Sequence, residues 1–172
     1  MLKLIFIDVD GVLNNEENIV YLYETTPKED REKIILERGF GRHPAFSKRN
    51  LNNLKYIINS TDAYLVLSST WRLSQAGINS FIKAIESIGI ERKRYLGHTP
   101  SLYHNPNWGR GREIYTWLEK NNYKKNPYVI IDDDSDMNFK NCMEHFVKVN
   151  GTYGLSIVDR QKAISILKDI VN

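Results

Sequence analysis

One cysteine among 172 residues, Cys142, leaves no internal disulfide to form, so the fold must rest on a packed core. That suits a reducing compartment, and the cytoplasm is the expected location. No apolar run approaches the roughly 20 residues that span a bilayer. The N-terminal apolar stretch is shorter than a signal peptide and runs directly into Asp8, so no membrane partner is expected. Low-complexity tracts and internal repeats are absent, which excludes linker-like and solenoid architectures. No Gly-x-x-x-x-Gly-Lys-Ser/Thr occurs, so the chain carries no P-loop. A strong excess of one charge is missing too: 24 Lys and Arg against 21 Asp and Glu leave +3, too little alone to imply nucleic acid. The length fits one domain over residues 1–172.

What is present is a set of short apolar runs that end in polar clusters. Residues 2–7 read as a buried strand leading to Asp8 and Asp10, spaced i, i+2, and then Gly11. Residues 63–67 form a second strand, ending in Ser68-Ser69-Thr70-Trp71-Arg72. A short strand is expected at 95–97, another at 128–131 before Asp132-Asp133-Asp134-Ser135-Asp136, and a fifth at 146–149. Helices fall between them. Residues 27–38 have proline and acids early, Arg38 late and Gly39 as a stop. Ser47 opens a helix with Leu51, Leu54, Ile57 and Ile58 on one face. A third carries Ile78, Phe81, Ile82, Ile85 and Ile88 and closes at Gly89. A fourth begins near Arg112 with Ile114, Trp117 and Leu118 inward. Ser156 and Asp159 read as a capping box before a last helix with Ile164, Leu167 and Ile170. Alternating strands and helices predict an α/β domain with a doubly wound, mostly parallel sheet.

In such a sheet, ligands bind beyond the carboxyl ends of the strands, so the three polar clusters converge on one crevice. Carboxylates gathered there repel one another unless a cation neutralises them. Hard oxygen donors with few nearby histidines favour magnesium, which also bridges to phosphate. Asp132 and Asp136, four residues apart, share a face if the loop enters a helical turn. The bland alternative for Asp8 and Asp10 is a turn with aspartate capping its own backbone.

These residues resemble the haloacid-dehalogenase-like (HAD) phosphatases over nearly the whole length. Asp8-Val9-Asp10-Gly11-Val12 matches that family's first motif, Ser68 after an apolar strand the second, and Asp132-Asp133 with Asp136 the fourth. The third motif is normally a lysine at a helix start, and none stands there. Arg110 or Arg112, in Trp108-Gly109-Arg110-Gly111-Arg112, is the expected stand-in. The resemblance implies a Rossmann-like HAD fold with a minimal cap, an insertion at about 15–44. It also implies Asp8 as nucleophile through an aspartyl-phosphate, Asp10 as general acid and base, and Ser68 with Arg110 as phosphoryl-binding groups. Mg²⁺ would be held by Asp8, the Asp10 main-chain carbonyl and Asp132, with Asp133 or Asp136 helping. Ser69, Arg72 and Arg112 are expected to touch substrate, with capping and shell ion pairing as the competing roles for Ser69 and Arg72.

A nearly uncapped site favours an exposed phosphate on a large molecule. The clusters around Ser68, Arg110 and Asp132 resemble the HAD domains of RNA-repair proteins and the phosphatase half of polynucleotide kinase-phosphatases. That likeness implies RNA or DNA terminal phosphates as substrate, 3′-phosphate or 2′,3′-cyclic ends among them. Short basic clusters (Arg42-His43, Lys48-Arg49, Arg92-Lys93-Arg94, Arg110 with Arg112, Lys124-Lys125) agree with this, although solvated surface charge explains each singly. The alternatives are a phosphatase of nucleotides or sugar phosphates, a noncatalytic phosphate-binding module and, ranked last, a dehalogenase. Trp71, Trp108 and Trp117 read as packing residues, His98 and His104 as ordinary surface, and Asp134 as solvent-facing.

Overall fold

A computed structural model describes residues 1–30, 46–102 and 109–169. Five strands, β1 (Leu4–Ile7), β2 (Tyr64–Leu67), β3 (Tyr95–His98), β4 (Tyr128–Asp132) and β5 (Phe146–Lys148), form one sheet in the order β3-β2-β1-β4-β5. Every pairing is parallel. The α-helices among the described residues are α1 (Glu16–Thr25), α2 (Lys48–Thr61), α3 (Gln75–Ser87), α4 (Arg110–Lys120) and α5 (Ile157–Asp169). The α/β class and the parallel, doubly wound sheet are as the sequence predicts.

All four residues of β1 are fully buried, because helices cover both faces of a central parallel strand. Strand alternation divides them. Ile5 and Ile7, with Leu65, Leu67, Val129 and Ile131, join one core with Leu54 of α2, Phe81 of α3 and Leu167 of α5. Leu4 and Phe6, with Val66 and Ile130, join a second core with Ile114, Trp117 and Leu118 of α4. Phe6 meets Trp117 and Tyr128 edge-on, at ring centroids 5.5 and 5.9 Å away.

The chain runs from β1 outward through β2 to β3, then crosses back to lay β4 on the other side of β1. The carboxyl ends of β1 and β4 are therefore the point where strand order reverses, the place where such sheets hold ligands.

Helix starts follow local capping. The Ser47 and Ser74 side chains accept from the Asn50 and Gly77 N–H groups, and Ser156 and Asp159 bond each other's main-chain N–H as a reciprocal box. Three readings need adjustment. β1 starts at Leu4, although Lys3 still accepts from Tyr64 N–H, and β5 ends at Lys148, although Val149 still donates to Asp132. α1 stands in a stretch where the sequence suggested only a polar connection. Asn15 caps it through a 2.7 Å bond from Asn18 N–H, and it buries no residue, so it shows no apolar stripe. Of the helix expected at 27–38, Pro27 is not helical, residues 28–30 are, and 31–38 lie outside the described residues, as do Arg42, His43, His104, Trp108, Ile170 and the remainder of the insertion at 15–44. No described helix is long and apolar enough to cross a membrane.

Candidate active site

Because Ile7 pairs with both Leu67 and Ile131, the next residues on the three strands stand side by side. Asp8 N–H donates to the Ile131 carbonyl at 3.0 Å and Ser68 N–H to Ile7 at 2.9 Å, which carries the ladder one step past the strand ends. Asp8, Ser68 and Asp132 thus form a polar row on the carboxyl edge, all three buried.

Arg110 closes this row. One guanidinium nitrogen lies 3.1 Å from an Asp8 carboxylate oxygen and 3.7 Å from Asp132 Oδ2. Burial pushes the pKa of Asp8 above the usual carboxylate range, an effect the Arg110 charge opposes. Burial and the nearby Asp8 charge both raise Asp132, with Arg110 again opposing. Asp133 is raised by its partial burial. Arg110 itself remains a firmer cation, because the attraction of Asp8 and Asp132 outweighs its desolvation.

Local chain geometry places Arg110 there. It is the first residue of α4, and its N–H donates to Asp136 Oδ2 at 2.8 Å, so Asp136 caps the helix from the loop after β4. The flanking glycines have a packing reason. A methyl on Gly109 would lie 2.5 Å from the Asp136 carbonyl oxygen, and one on Gly111 would lie 2.7 Å from that of Met137. Between the two arginines considered from sequence, Arg110 reaches the carboxylates, while Arg112 lies over the Phe139 ring at 4.9 Å. Residues i and i+2 of a helix point in different directions, which separates them.

Asp10 sits apart, on the turn after β1 and only half-buried. Its Oδ1 accepts from Asn14 Nδ2 at 2.8 Å and its Oδ2 from the Trp71 indole N–H at 2.9 Å. Asn14 also accepts from Gly11 N–H at 3.2 Å, tying the turn closed. Gly11 has φ +72°, and a methyl there would lie 2.2 Å from Asp133 Oδ2, so the turn needs glycine twice over. Asn14 and Trp71 were missed as site residues. Asn14 gave a weak signal, four residues beyond an acid in a tight turn, whereas Trp71 gave none, being 61 residues from its partner.

The remaining candidates divide. Ser69 is fully buried, and its hydroxyl accepts from Trp71 main-chain N–H. Ser68 Oγ is buried without a hydrogen-bond partner. Arg72, expected at substrate, is instead buried in an ion pair with Glu113 at 2.6 Å and donates to the Ser69 carbonyl at 2.7 Å. Arg112, likewise expected at substrate, stacks on Phe139, and Asp136, expected at the metal, caps α4. Asp134 is exposed and accepts from Ser135 N–H. Trp117 is core, and His98 is exposed at the end of β3.

A cavity of about 370 Å³ opens over the row, bordered by Asp8, Asp10, Asp132, Asp133 and Arg110, with Glu16 and Ile19 of α1, Thr70, Asp134 and Gly151 around them. Arg110 is the single cation among these lining residues. Of the other basic clusters, Arg94 pairs with Asp62, Lys93 with Glu91, Arg49 with Glu17 and Lys124 with Glu119.

The donor set fits a hard divalent cation. Asp8, Asp132 and Asp133 each offer an oxygen within 4.8 Å of the others, and buried Asp132 Oδ2 has no hydrogen-bond partner. The Asp10 carboxylate is engaged by Asn14 and Trp71, which leaves its main-chain carbonyl as the ligand expected from that residue.

A family model described as the HAD domain in Swiss Army Knife RNA repair proteins matches residues 4–159, a span that includes every site residue above. No curated protein and no solved structure matches the chain.

Proposed function

The chain belongs to the family of HAD domains found in Swiss Army Knife RNA repair proteins, and from that premise we propose a phosphomonoesterase acting on nucleic-acid terminal phosphates through an aspartyl-phosphate. The observation that carries the reading is the buried Asp8 carboxylate held 3.1 Å from Arg110 beside Asp132, at the sheet's switch point.

Asp8 attacks phosphorus in line, and the bond from phosphorus to the leaving oxygen breaks as that oxygen takes a proton from Asp10. Water then attacks the phosphoryl group, giving its proton to Asp10 and releasing phosphate and free Asp8. Arg110 and the partnerless Ser68 hydroxyl donate to phosphoryl oxygens, and their fixed positions favour the charge that develops there. Asp8, Asp132 and Asp133 would hold Mg²⁺, which when bound neutralises carboxylate and phosphoryl charge so that two anions approach each other.

The family description supports RNA ends as substrate. A second reading, a phosphatase of small monophosphates, is favoured by the acidic border: Glu16 and Asp134 flank the cavity beside the metal-binding acids and disfavour a polyanion close to the mouth. Phosphate release with Mg²⁺ from 3′- and 5′-phosphorylated oligonucleotides and nucleoside monophosphates decides between them. Asp8→Asn and EDTA should each abolish release, by roughly 10³-fold or more for loss of the nucleophile. Preference for monomers supports the second reading, and release that survives Asp8→Asn overturns both.

A further inference from the structure

We infer that Trp71 is a positioning residue that orients Asp10 for proton transfer to the leaving oxygen, an inference that rests on the phosphatase reading above. The indole N–H is a donor only, so the oxygen it meets, Asp10 Oδ2 at 2.9 Å, is an acceptor in that bond. Asn14 Nδ2 takes the other oxygen at 2.8 Å. Two neutral donors, one on each oxygen, fix the rotation of the carboxylate and leave each oxygen a lone pair toward the cavity. The proton that Asp10 gives and later recovers therefore travels along a set direction, away from both donors.

The ring that does this is itself held rigidly. Trp71 is 6% exposed, and Phe46 lies against its ring with centroids 5.3 Å apart. Its carbonyl accepts from Ser74 N–H at 3.4 Å, and a methyl on Gly77 of α3 would lie 2.2 Å from that oxygen. Its main-chain N–H donates to the hydroxyl of Ser69, the residue beside Ser68 at the end of β2. The next residue, Arg72, is clamped to Glu113 of α4, the helix that begins with Arg110. One short turn thus ties the group that would donate the proton to those that would handle phosphorus. A buried indole N–H takes a hydrogen-bond partner, and here that partner is the carboxylate assigned to proton transfer.

The test separates proton delivery from general damage. Trp71→Phe keeps a ring and removes the N–H. The kcat/KM is compared for a nucleoside 3′-monophosphate, whose alkoxide must be protonated to leave, and p-nitrophenyl phosphate, whose phenolate leaves unprotonated at neutral pH. General acid–base transfer contributes about 10²–10⁴-fold, so the variant should lose roughly ten- to hundredfold on the alkyl ester and far less on the aryl ester. An equal loss on both esters overturns the inference while leaving the phosphatase intact. A wild type inert toward both esters and toward 3′- and 5′-phosphorylated oligonucleotides, with Mg²⁺ present, overturns the phosphatase reading and this inference with it. Where only the oligonucleotide is hydrolysed, it replaces the nucleoside monophosphate as the alkyl ester. Should Trp71→Phe not fold, the indole ¹⁵N–¹H resonance of Trp71 in the wild-type chain serves instead. It should move on Asp10→Ala, and an unmoved resonance overturns the inference.

Discussion

The floor and the rim of the cavity hold carboxylates by different physics. On the floor Asp8 and Asp132 are buried, raised by desolvation and answered by the charge of Arg110. On the rim, two residues along the chain, Asp10 is half-buried and held by neutral N–H donors. The difference teaches how one strand end serves two purposes. A charged partner steadies a buried anion, whereas neutral donors set the direction in which a carboxylate faces.

Arg110→Ala breaks the floor most directly. Removing one partner of a buried pair typically costs about 3–5 kcal/mol, so metal-free protein at pH 8 should lose roughly that stability in urea unfolding. Added Mg²⁺ or a lower pH should restore part of it, since each relieves the same stranded charge. Unchanged stability would mean the floor is no more electrostatic than the rim.

The second expected effect is the pH dependence of the metal-free protein. The floor acids have folded-state values above the ordinary carboxylate range near 4, reaching about 8 for Asp132. Between those limits the unfolded chain has lost the proton that the folded one keeps, so stability falls as pH rises through the window. Divalent cations compete with those protons, and the rise in Tm on adding Mg²⁺ should be larger at pH 8 than at pH 6. Thermal melts across that range check the sign, and a shift independent of pH would remove the floor acids as ligands.

The smallest effect belongs to the start of α4, which carries Arg110 to the floor. Asp136→Ala removes the cap of α4 and should cost about 1 kcal/mol, while Asp136→Asn, which still accepts from Arg110 N–H, should cost less. A larger loss in the asparagine variant than in the alanine one would assign Asp136 an ionic role at the metal instead.

The floor was legible in the sequence and much of the rim was not, for reasons that follow from distance along the chain. Apolar runs ending in Asp8, Ser68 and Asp132 announce strands and the edge where they stop, so the sheet and its crevice could be read directly. Parallel pairing then aligns those ends without further information. Arg72 gave no comparable signal, because the partner that removes it from substrate, Glu113, stands 41 residues later. Helix α1 was invisible for the opposite reason: it buries nothing, and a helix without an apolar stripe leaves no period to detect. The choice between Arg110 and Arg112 needed the start of α4, which Asp136 sets from a different loop.

The strand order has a consequence for synthesis. β1 leaves the ribosome well before its second neighbour, β4, which begins only at Tyr128. Until then one edge of β1 has no partner, and Asp8 has neither Asp132 nor the neighbouring Asp133 beside it. A nascent chain halted before β4 would expose an apolar strand edge, a surface prone to wrong pairing. It would also lack the acid pair at the site, so the carboxylate row is completed only when the pairing that protects that edge forms.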